Sequence, residues 1–140
     1  MSSKSKKKLK LALLFGGPSA ERGISLNSAR SVSDHLSSDR FEILPIYFDE
    51  KKRPYRIDRS QLYSNTPSDF DFKLSQTAKP LSKTSLIRLL KKADLAFPTI
   101  HGPFGEDGKI QKLLEEAKIP FVGPSSKACK AAFDKFIANE

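Results

Sequence analysis

The chain has 140 residues, of which 38% are hydrophobic, and this supplies enough apolar material for the core of one ordinary domain. It has no apolar run near the roughly 18 residues that span a bilayer, no secretory leader and one cysteine, which predicts a cytoplasmic protein without a membrane span or an internal disulfide. The formal net charge is +9, but five lysines fall within the first ten residues, so residues 1–8 are expected to form a disordered basic tail, and a nucleic-acid partner is disfavoured.

The first elements in chain order are a strand, a helix and a second strand. An apolar run over Leu9–Phe15, closed by Gly-Gly-Pro-Ser, predicts a buried strand followed by a turn. Apolar or small residues recur every three or four positions over Gly23–Leu36, which predicts an amphipathic helix capped by Ser19 or Ser25. The β-branched and aromatic residues of Phe41–Phe48 predict the second strand. This order favours a parallel sheet with right-handed crossovers.

The second half of the chain begins with a segment whose conformation the sequence does not decide. Residues 51–79 are polar, contain two prolines and fit a long loop, an edge hairpin or a small excursion from the sheet. The pattern beyond them predicts a helix over 81–92, a strand over 94–100, a helix over 109–118, a brief strand over 121–123 and a helix over 125–139 capped by Ser125 or Ser126. The expected fold is a three-layer, Rossmann-like α/β domain over residues 9–140, with helices on both faces of a mainly parallel sheet.

Ligands of such sheets bind beyond the carboxyl ends of the strands, where the first loop of this chain carries paired glycines and a carboxylate. Gly16 and Gly17 allow a tight turn and a close approach of the backbone to a ligand. Glu21 is expected at the rim of the crevice. Its carboxylate would either hold a substrate ammonium or favour the positive end of the following helix, and the local sequence leaves both interpretations open.

The second loop, over residues 97–111, contains three glycines and two prolines, which predict a fixed and sharply turning segment. His101 is expected to point from the end of its strand toward the same crevice as Glu21, or to be a hydrogen-bonded loop histidine. Glu106 and Asp107 precede a helix and suit its positive end, so we assign them to helix stabilisation.

Cysteine and histidine content argues against a metal centre. With His35, His101 and Cys129 as the complete set of nitrogen and sulfur candidates, no structural zinc site is expected. Cys129 lies among lysines and alanines and is interpreted as a small packing residue, not a nucleophile.

Several segments together resemble one enzyme family. They are Leu-Phe-Gly-Gly-Pro-Ser-Ala-Glu-Arg (14–22), Ile-Ser-Leu-Asn-Ser-Ala (24–29), Phe-Pro-Thr-Ile-His-Gly-Pro-Phe-Gly-Glu-Asp-Gly (97–108), Ile-Gln (110–111), Ile-Pro-Phe-Val-Gly (119–123) and Asp-Lys (134–135). In order and spacing they resemble D-alanine:D-alanine ligases, and residues 51–79 are unmatched. Gly23 departs from the side-chain-bearing residue that the family more often has there.

The resemblance implies a pre-ATP-grasp domain of an ATP-grasp ligase that makes D-alanyl-D-alanine for peptidoglycan synthesis. It implies that Glu21 holds the ammonium of the first D-alanine and that His101 lines the same subsite. We assign Gly16, Gly17, Ser25, Gly102 and Gly105 to supporting the loops. ATP and Mg²⁺ belong to the family's central and carboxy-terminal domains. We therefore expect D-alanine and those domains as partners, no cofactor on this chain and no ligation by it alone; a homodimer is compatible with the sequence.

Two other classes of protein compete with this interpretation. A dinucleotide-binding domain would use Asp49, at the end of the second strand, to bind a ribose, but the glycines at 16, 17 and 23 do not fit Gly-x-Gly-x-x-Gly. A basic nucleic-acid-binding module would use the lysine tail, and its binding would fall steeply with salt.

Overall fold

The computed structural model describes residues 7–36, 39–63 and 67–138. Its centre is a four-stranded sheet of β1 (Leu9–Gly16), β2 (Phe41–Phe48), β3 (Pro54–Arg56) and β4 (Leu95–Pro98), in the spatial order β3-β2-β1-β4. β1 pairs in parallel with both β2 and β4, and β3 forms an antiparallel edge. Residues 11–16 are all buried because both faces of β1 are covered, which explains their continuous apolar run.

Helices cover both faces of this sheet. They are α1 (Arg22–Leu36), α2 (Pro67–Thr77), α3 (Lys83–Leu90), α4 (Lys109–Glu116) and α5 (Ser126–Ala138), with a 3₁₀ helix over Arg59–Tyr63. One core joins Leu13 and Phe15 of β1 to α1 and α2, and the other joins Ala12 and Leu14 to α3 and α4. The alternation of neighbouring β1 side chains between two cores confirms the predicted three-layer α/β fold.

The predicted elements of the second half differ from the structure mainly at their ends. Ser125 caps α5 as predicted, since its Oγ accepts a hydrogen bond from the Ala128 N–H at 3.2 Å. The brief strand predicted over 121–123 is reduced to an isolated parallel bridge between Phe121 and Ala96, and Gly123 has a φ of +119°. Of the predicted basic tail, residues 1–6 lie outside the described residues.

Residues 51–79 combine two of the conformations that the sequence left open. β2 and β3 form an edge hairpin, after which the chain leaves the sheet through the 3₁₀ helix and packs α2 beside α1. Within the parts of the chain that the structure describes, no helix has the length and apolar character needed to cross a bilayer.

Asp49 holds the turn of this hairpin. Its Oδ1 accepts hydrogen bonds from the N–H groups of Lys51 and Arg53 at 2.9 and 2.8 Å, and its Oδ2 accepts from Arg53 Nε at 2.7 Å. The residue is 2% exposed. Both oxygens are thus occupied within the turn, and the alternative in which Asp49 binds a ribose is contradicted.

Candidate ligand-binding crevice at the ends of β1 and β4

The crevice lies where the strand order changes direction. From β1 the chain passes through α1 to β2 on one side, whereas β4 pairs with the other side of β1. The loops that follow β1 and β4 therefore leave the same edge of the sheet next to each other, and a parallel sheet binds its ligands at such a point. We call the space between these loops the crevice and define it by Glu21, Ser28, His101 and Glu106.

Ser25 joins the two loops beneath the crevice. Its buried Oγ accepts a hydrogen bond from the Gly16 N–H at 2.9 Å and donates one to the Thr99 carbonyl oxygen at 2.7 Å. The Thr99 hydroxyl in turn donates to the Leu14 carbonyl at 2.9 Å. Ser25 lies inside α1 and does not cap it, so the capping role suggested for it by the sequence is wrong. Its hydroxyl fixes the end of β1 relative to the end of β4.

Glycines allow the loops to approach this closely. A Cβ on Gly102 would lie 2.7 Å from Ser19 Oγ of the opposite loop, and a Cβ on Gly105 would lie 2.0 Å from the carbonyl oxygen of Ile100. Contacts below 3.0 Å would also be forced by a side chain at Gly16 or Gly17. Gly17 and Gly102 therefore allow the two loops to approach each other, whereas Gly16 and Gly105 allow close packing against β2 and within the second loop.

Three polar side chains meet in the crevice. One carboxylate oxygen each of Glu21 and Glu106 and one ring nitrogen of His101 lie within 4.8 Å of one another. His101 Nδ1 is 3.3 Å from Glu106 Oε1, and His101 Nε2 is 3.3 Å from Ser28 Oγ. The His101 side chain is 31% exposed and that of Glu106 is 49% exposed. The structure thus brings Glu21 and His101 to the same side of the molecule with an open approach from solvent.

Glu106 and Ser28 are the residues of the crevice that sequence reasoning missed. Asp107 does serve α4 as expected, because its Oδ1 accepts from the Lys109 N–H at 3.1 Å. Glu106 instead turns toward His101, since the loop folds back through a hydrogen bond from its N–H to the Gly102 carbonyl at 2.8 Å. The assignment of Glu106 to helix stabilisation is therefore corrected. Its glycine-rich flanks predicted a tight turn, but no sequence period indicated where its side chain would point.

A partly buried polar network fixes the residue next to Glu21. Arg22 Nη1 forms an ion pair with Asp71 of α2 and a hydrogen bond to the Tyr47 hydroxyl at 3.3 Å. That hydroxyl donates to Asp71 Oδ1 at 2.6 Å. Burial, followed by this hydrogen bond, raises the pKa of Tyr47. Through this network, Asp71 of α2 anchors the start of α1 and therefore the main chain at Glu21.

The crevice is suited to a cation. Two carboxylates from different loops face each other, and two negative charges at this separation repel unless a positive group lies between them. The imidazole lies against one of them and is bonded to Ser28 on its other side. An ammonium group or a metal ion would each satisfy this arrangement.

Comparison with known proteins shows that the chain is similar to the amino-terminal part of D-alanine ligases. A family model described as the D-ala D-ala ligase N-terminus matches residues 10–124. A D-alanine–D-alanine ligase of Bacillus pumilus is 36% identical over 95% of this chain, and one of Legionella pneumophila is 38% identical over 95%. Among solved structures, the VanG D-Ala:D-Ser ligase of Enterococcus faecalis superposes with a TM-score of 0.70 and is 30% identical over 89% of this chain. The D-alanine–D-alanine ligase of Coxiella burnetii superposes with a TM-score of 0.69 and is 28% identical over 88% of this chain. The match spans 39% and 36% of the first two proteins and 38% of each solved chain.

Proposed function

Since this chain belongs to the D-alanine:D-alanine ligase family and corresponds to its amino-terminal domain, we propose that it forms part of the subsite for the first D-alanine of an ATP-dependent ligase. In the proposed reaction, ATP phosphorylates the carboxylate of one D-alanine, and the amine of a second D-alanine displaces phosphate from that acyl phosphate. The observation that supports this function is the meeting of Glu21 and His101 in one solvent-accessible crevice.

Glu21 is the residue that we propose to hold the substrate ammonium. Its carboxylate is exposed, and the main chain on both sides is fixed: the Glu21 N–H donates to Ser19 Oγ at 3.0 Å, and the next residue belongs to the Arg22 network. A charge-assisted hydrogen bond of this kind contributes about 1.5–3 kcal/mol. Glu106 adds a second negative charge on the other side of the same position.

His101 is proposed to form a wall of the subsite. Contacts on both ring nitrogens, from Glu106 and Ser28, restrict its rotation, so the imidazole presents a fixed surface to the bound amino acid. We assign the loop glycines Gly16, Gly17, Gly102 and Gly105, together with Ser25, to supporting this geometry and not to contacting the substrate.

The remaining parts of the reaction are proposed to lie on the central and carboxy-terminal domains of the family. They would bind ATP and Mg²⁺, which supply the phosphoryl group and neutralise its charge during transfer. With few contacts to offset the entropy of binding, this chain alone should bind D-alanine weakly and catalyse no ligation. We propose a cytoplasmic enzyme of peptidoglycan synthesis, compatible with a homodimer.

The half-site can be tested on the chain itself by following backbone amide resonances of the ¹⁵N-labelled protein during titration with D-alanine. We expect shifts confined to the loops around Glu21 and His101, because only these face the ligand. Glu21→Gln should remove them. The matched control is Glu42→Gln, which changes an exposed glutamate at the opposite end of β2 and should preserve them. N-acetyl-D-alanine lacks the ammonium, so equal shifts with this compound would contradict the role of Glu21.

The activity can be tested in a ligase that carries this domain together with the other two. A loss of 1.5–3 kcal/mol of binding corresponds to an increase of about 10–150-fold in the KM for the first D-alanine. We expect that increase for Glu21→Gln, measured as D-alanine-dependent phosphate release, with folding unchanged. An unchanged KM would remove the proposed role.

A further inference from the structure

The three charged or titratable side chains of the crevice form a ligand set that includes nitrogen as well as oxygen. We propose that Glu21, His101 and Glu106 bind a divalent transition-metal ion of the Zn²⁺ class. The three side chains come from two different loops, and Ser25 fixes those loops to each other beneath the site. The fold therefore positions the main chain that carries the three side chains.

The distances match those around such an ion. Nitrogen and oxygen ligands lie about 2.0–2.2 Å from Zn²⁺, which places tetrahedral ligands about 3.3–3.6 Å from one another. His101 Nδ1 and Glu106 Oε1 are already 3.3 Å apart. One carboxylate oxygen of Glu21 lies within 4.8 Å of a ring nitrogen of His101 and of a carboxylate oxygen of Glu106. Because the Glu21 side chain is exposed, a rotation toward the ion meets little resistance.

Ser28 supports the imidazole in the way that a metal-binding histidine requires. If Nδ1 binds the ion, Nε2 carries the ring proton and needs an acceptor, and Ser28 Oγ lies 3.3 Å from Nε2. Partners of this kind set the tautomer and the orientation of the ring, and their loss typically weakens metal binding about 10–100-fold.

The chemistry of the ligands selects the class of ion. Imidazole favours Zn²⁺ and its neighbours in the transition series, whereas Mg²⁺ and Ca²⁺ favour sites made only of oxygen. Three protein ligands leave a further coordination position for water or a small molecule. The few histidines and the single cysteine led us to expect no structural zinc site, and Glu106 was assigned to helix stabilisation.

The proposed metal site overlaps the proposed D-alanine subsite, but metal binding is a different property and does not depend on the ligase reaction. A metal ion bound between the two carboxylates would occupy the place of a substrate ammonium, so the two are expected to exclude each other. Metal binding requires no D-alanine and no other domain, so it can be measured on the isolated chain. A failure to bind Zn²⁺ would leave the proposed D-alanine subsite intact, and a failure to bind D-alanine would leave the metal site intact.

The first experiment is a titration of the ¹⁵N-labelled chain with Zn²⁺, followed through the long-range ¹H–¹⁵N spectrum of its imidazole rings. The chain has two histidines, and His35, which is bonded to its own helix at the Ser31 carbonyl, serves as the internal reference. We expect one equivalent of Zn²⁺ to shift the ring nitrogens of His101 before those of His35 change. Equal responses of both rings, no response of His101, or the same response to Mg²⁺ would overturn the proposal.

The second experiment compares variants by calorimetric titration with Zn²⁺. Glu106→Gln and Ser28→Ala should each weaken Zn²⁺ binding by about tenfold or more. Glu116→Gln changes an exposed glutamate of α4 that lies outside the crevice and should not change the affinity. Thermal unfolding of each variant establishes that the fold is retained. Unchanged affinity in folded Glu106→Gln would refute the site.

Discussion

Ser25→Ala is expected to destabilise the domain far more than an ordinary change of serine to alanine within a helix. It removes one hydroxyl that serves two buried backbone groups, the Gly16 N–H and the Thr99 carbonyl. Leaving a buried polar group without its partner costs about 1–3 kcal/mol, so the expected loss of unfolding free energy is about 2–4 kcal/mol. An unfolding entropy near 2.1 cal/mol/K per residue gives about 0.3 kcal/mol/K for 140 residues, and hence a fall in Tm of about 7–14 °C.

The assay is thermal unfolding followed by circular dichroism, with urea unfolding to give the free energy directly. Ser31→Ala is the matched control, because it makes the same chemical change on the exposed face of the same helix, and we expect an effect within about 0.5 kcal/mol. If Ser25→Ala and Ser31→Ala shift the Tm by similar amounts, the hydroxyl of Ser25 does not hold the ends of β1 and β4 together.

Three further predictions concern the rest of the domain. Gly16→Ala should lower the unfolding free energy by more than about 3 kcal/mol, since φ is +94° and the new Cβ would lie 2.3 Å from a carbonyl oxygen of β2. Gly23→Ala, in open space on α1, should instead raise the unfolding free energy by about 0.5–1 kcal/mol. Equal effects of the two changes in urea unfolding would contradict this. Burial and the hydrogen bond to Asp71 raise the pKa of Tyr47, so its protonated form stabilises the fold fully below about pH 10 and less as the pH rises further. Tyr47→Phe should therefore reduce the loss of unfolding free energy at alkaline pH, measured by urea unfolding at several pH values. The same pH dependence in Tyr47→Phe and in the unchanged protein would refute this. Burial also raises the pKa of the Cys129 thiol, so iodoacetamide should alkylate it at least about tenfold more slowly in the native chain than in urea, and equal rates would contradict its packing role.

The parts of the fold that could be predicted are those with a large buried surface in a regular pattern. β1 and β2 match the predicted strands to within one residue, because parallel strands covered on both faces require a continuous apolar run. α2 escaped prediction because its buried residues, Phe70 and Leu74, are few and Phe72 between them is 68% exposed, so the apolar face is blurred. β3 has only three residues and begins with a proline, so it gives no periodic signal.

The position of the crevice could be predicted from the sequence, but not all of the side chains that enter it could. Strand-end loops rich in glycine indicated where a ligand would bind, and the structure places both loops at one edge of the sheet. Which side chains enter the crevice depends on contacts across long sequence distances. Ser28 and His101, separated by 73 positions, are an example. A local pattern carries no information about such a contact, and for Glu106 it pointed to the neighbouring helix instead.

Stability and ligand binding are carried by different residues in this domain, and that separation makes its function testable. Ser25 and the loop glycines are buried or closely packed, so changes at those positions alter the fold and report on function only indirectly. The carboxylates of Glu21 and Glu106 are exposed, and their mutual repulsion opposes folding when no cation is bound. Glu21→Gln and Glu106→Gln should therefore leave the fold intact or slightly more stable, while weakening the binding of any cation. A loss of D-alanine or Zn²⁺ binding without a loss of Tm is consequently the result that assigns these two residues to a ligand, whereas a combined loss would assign them to the framework.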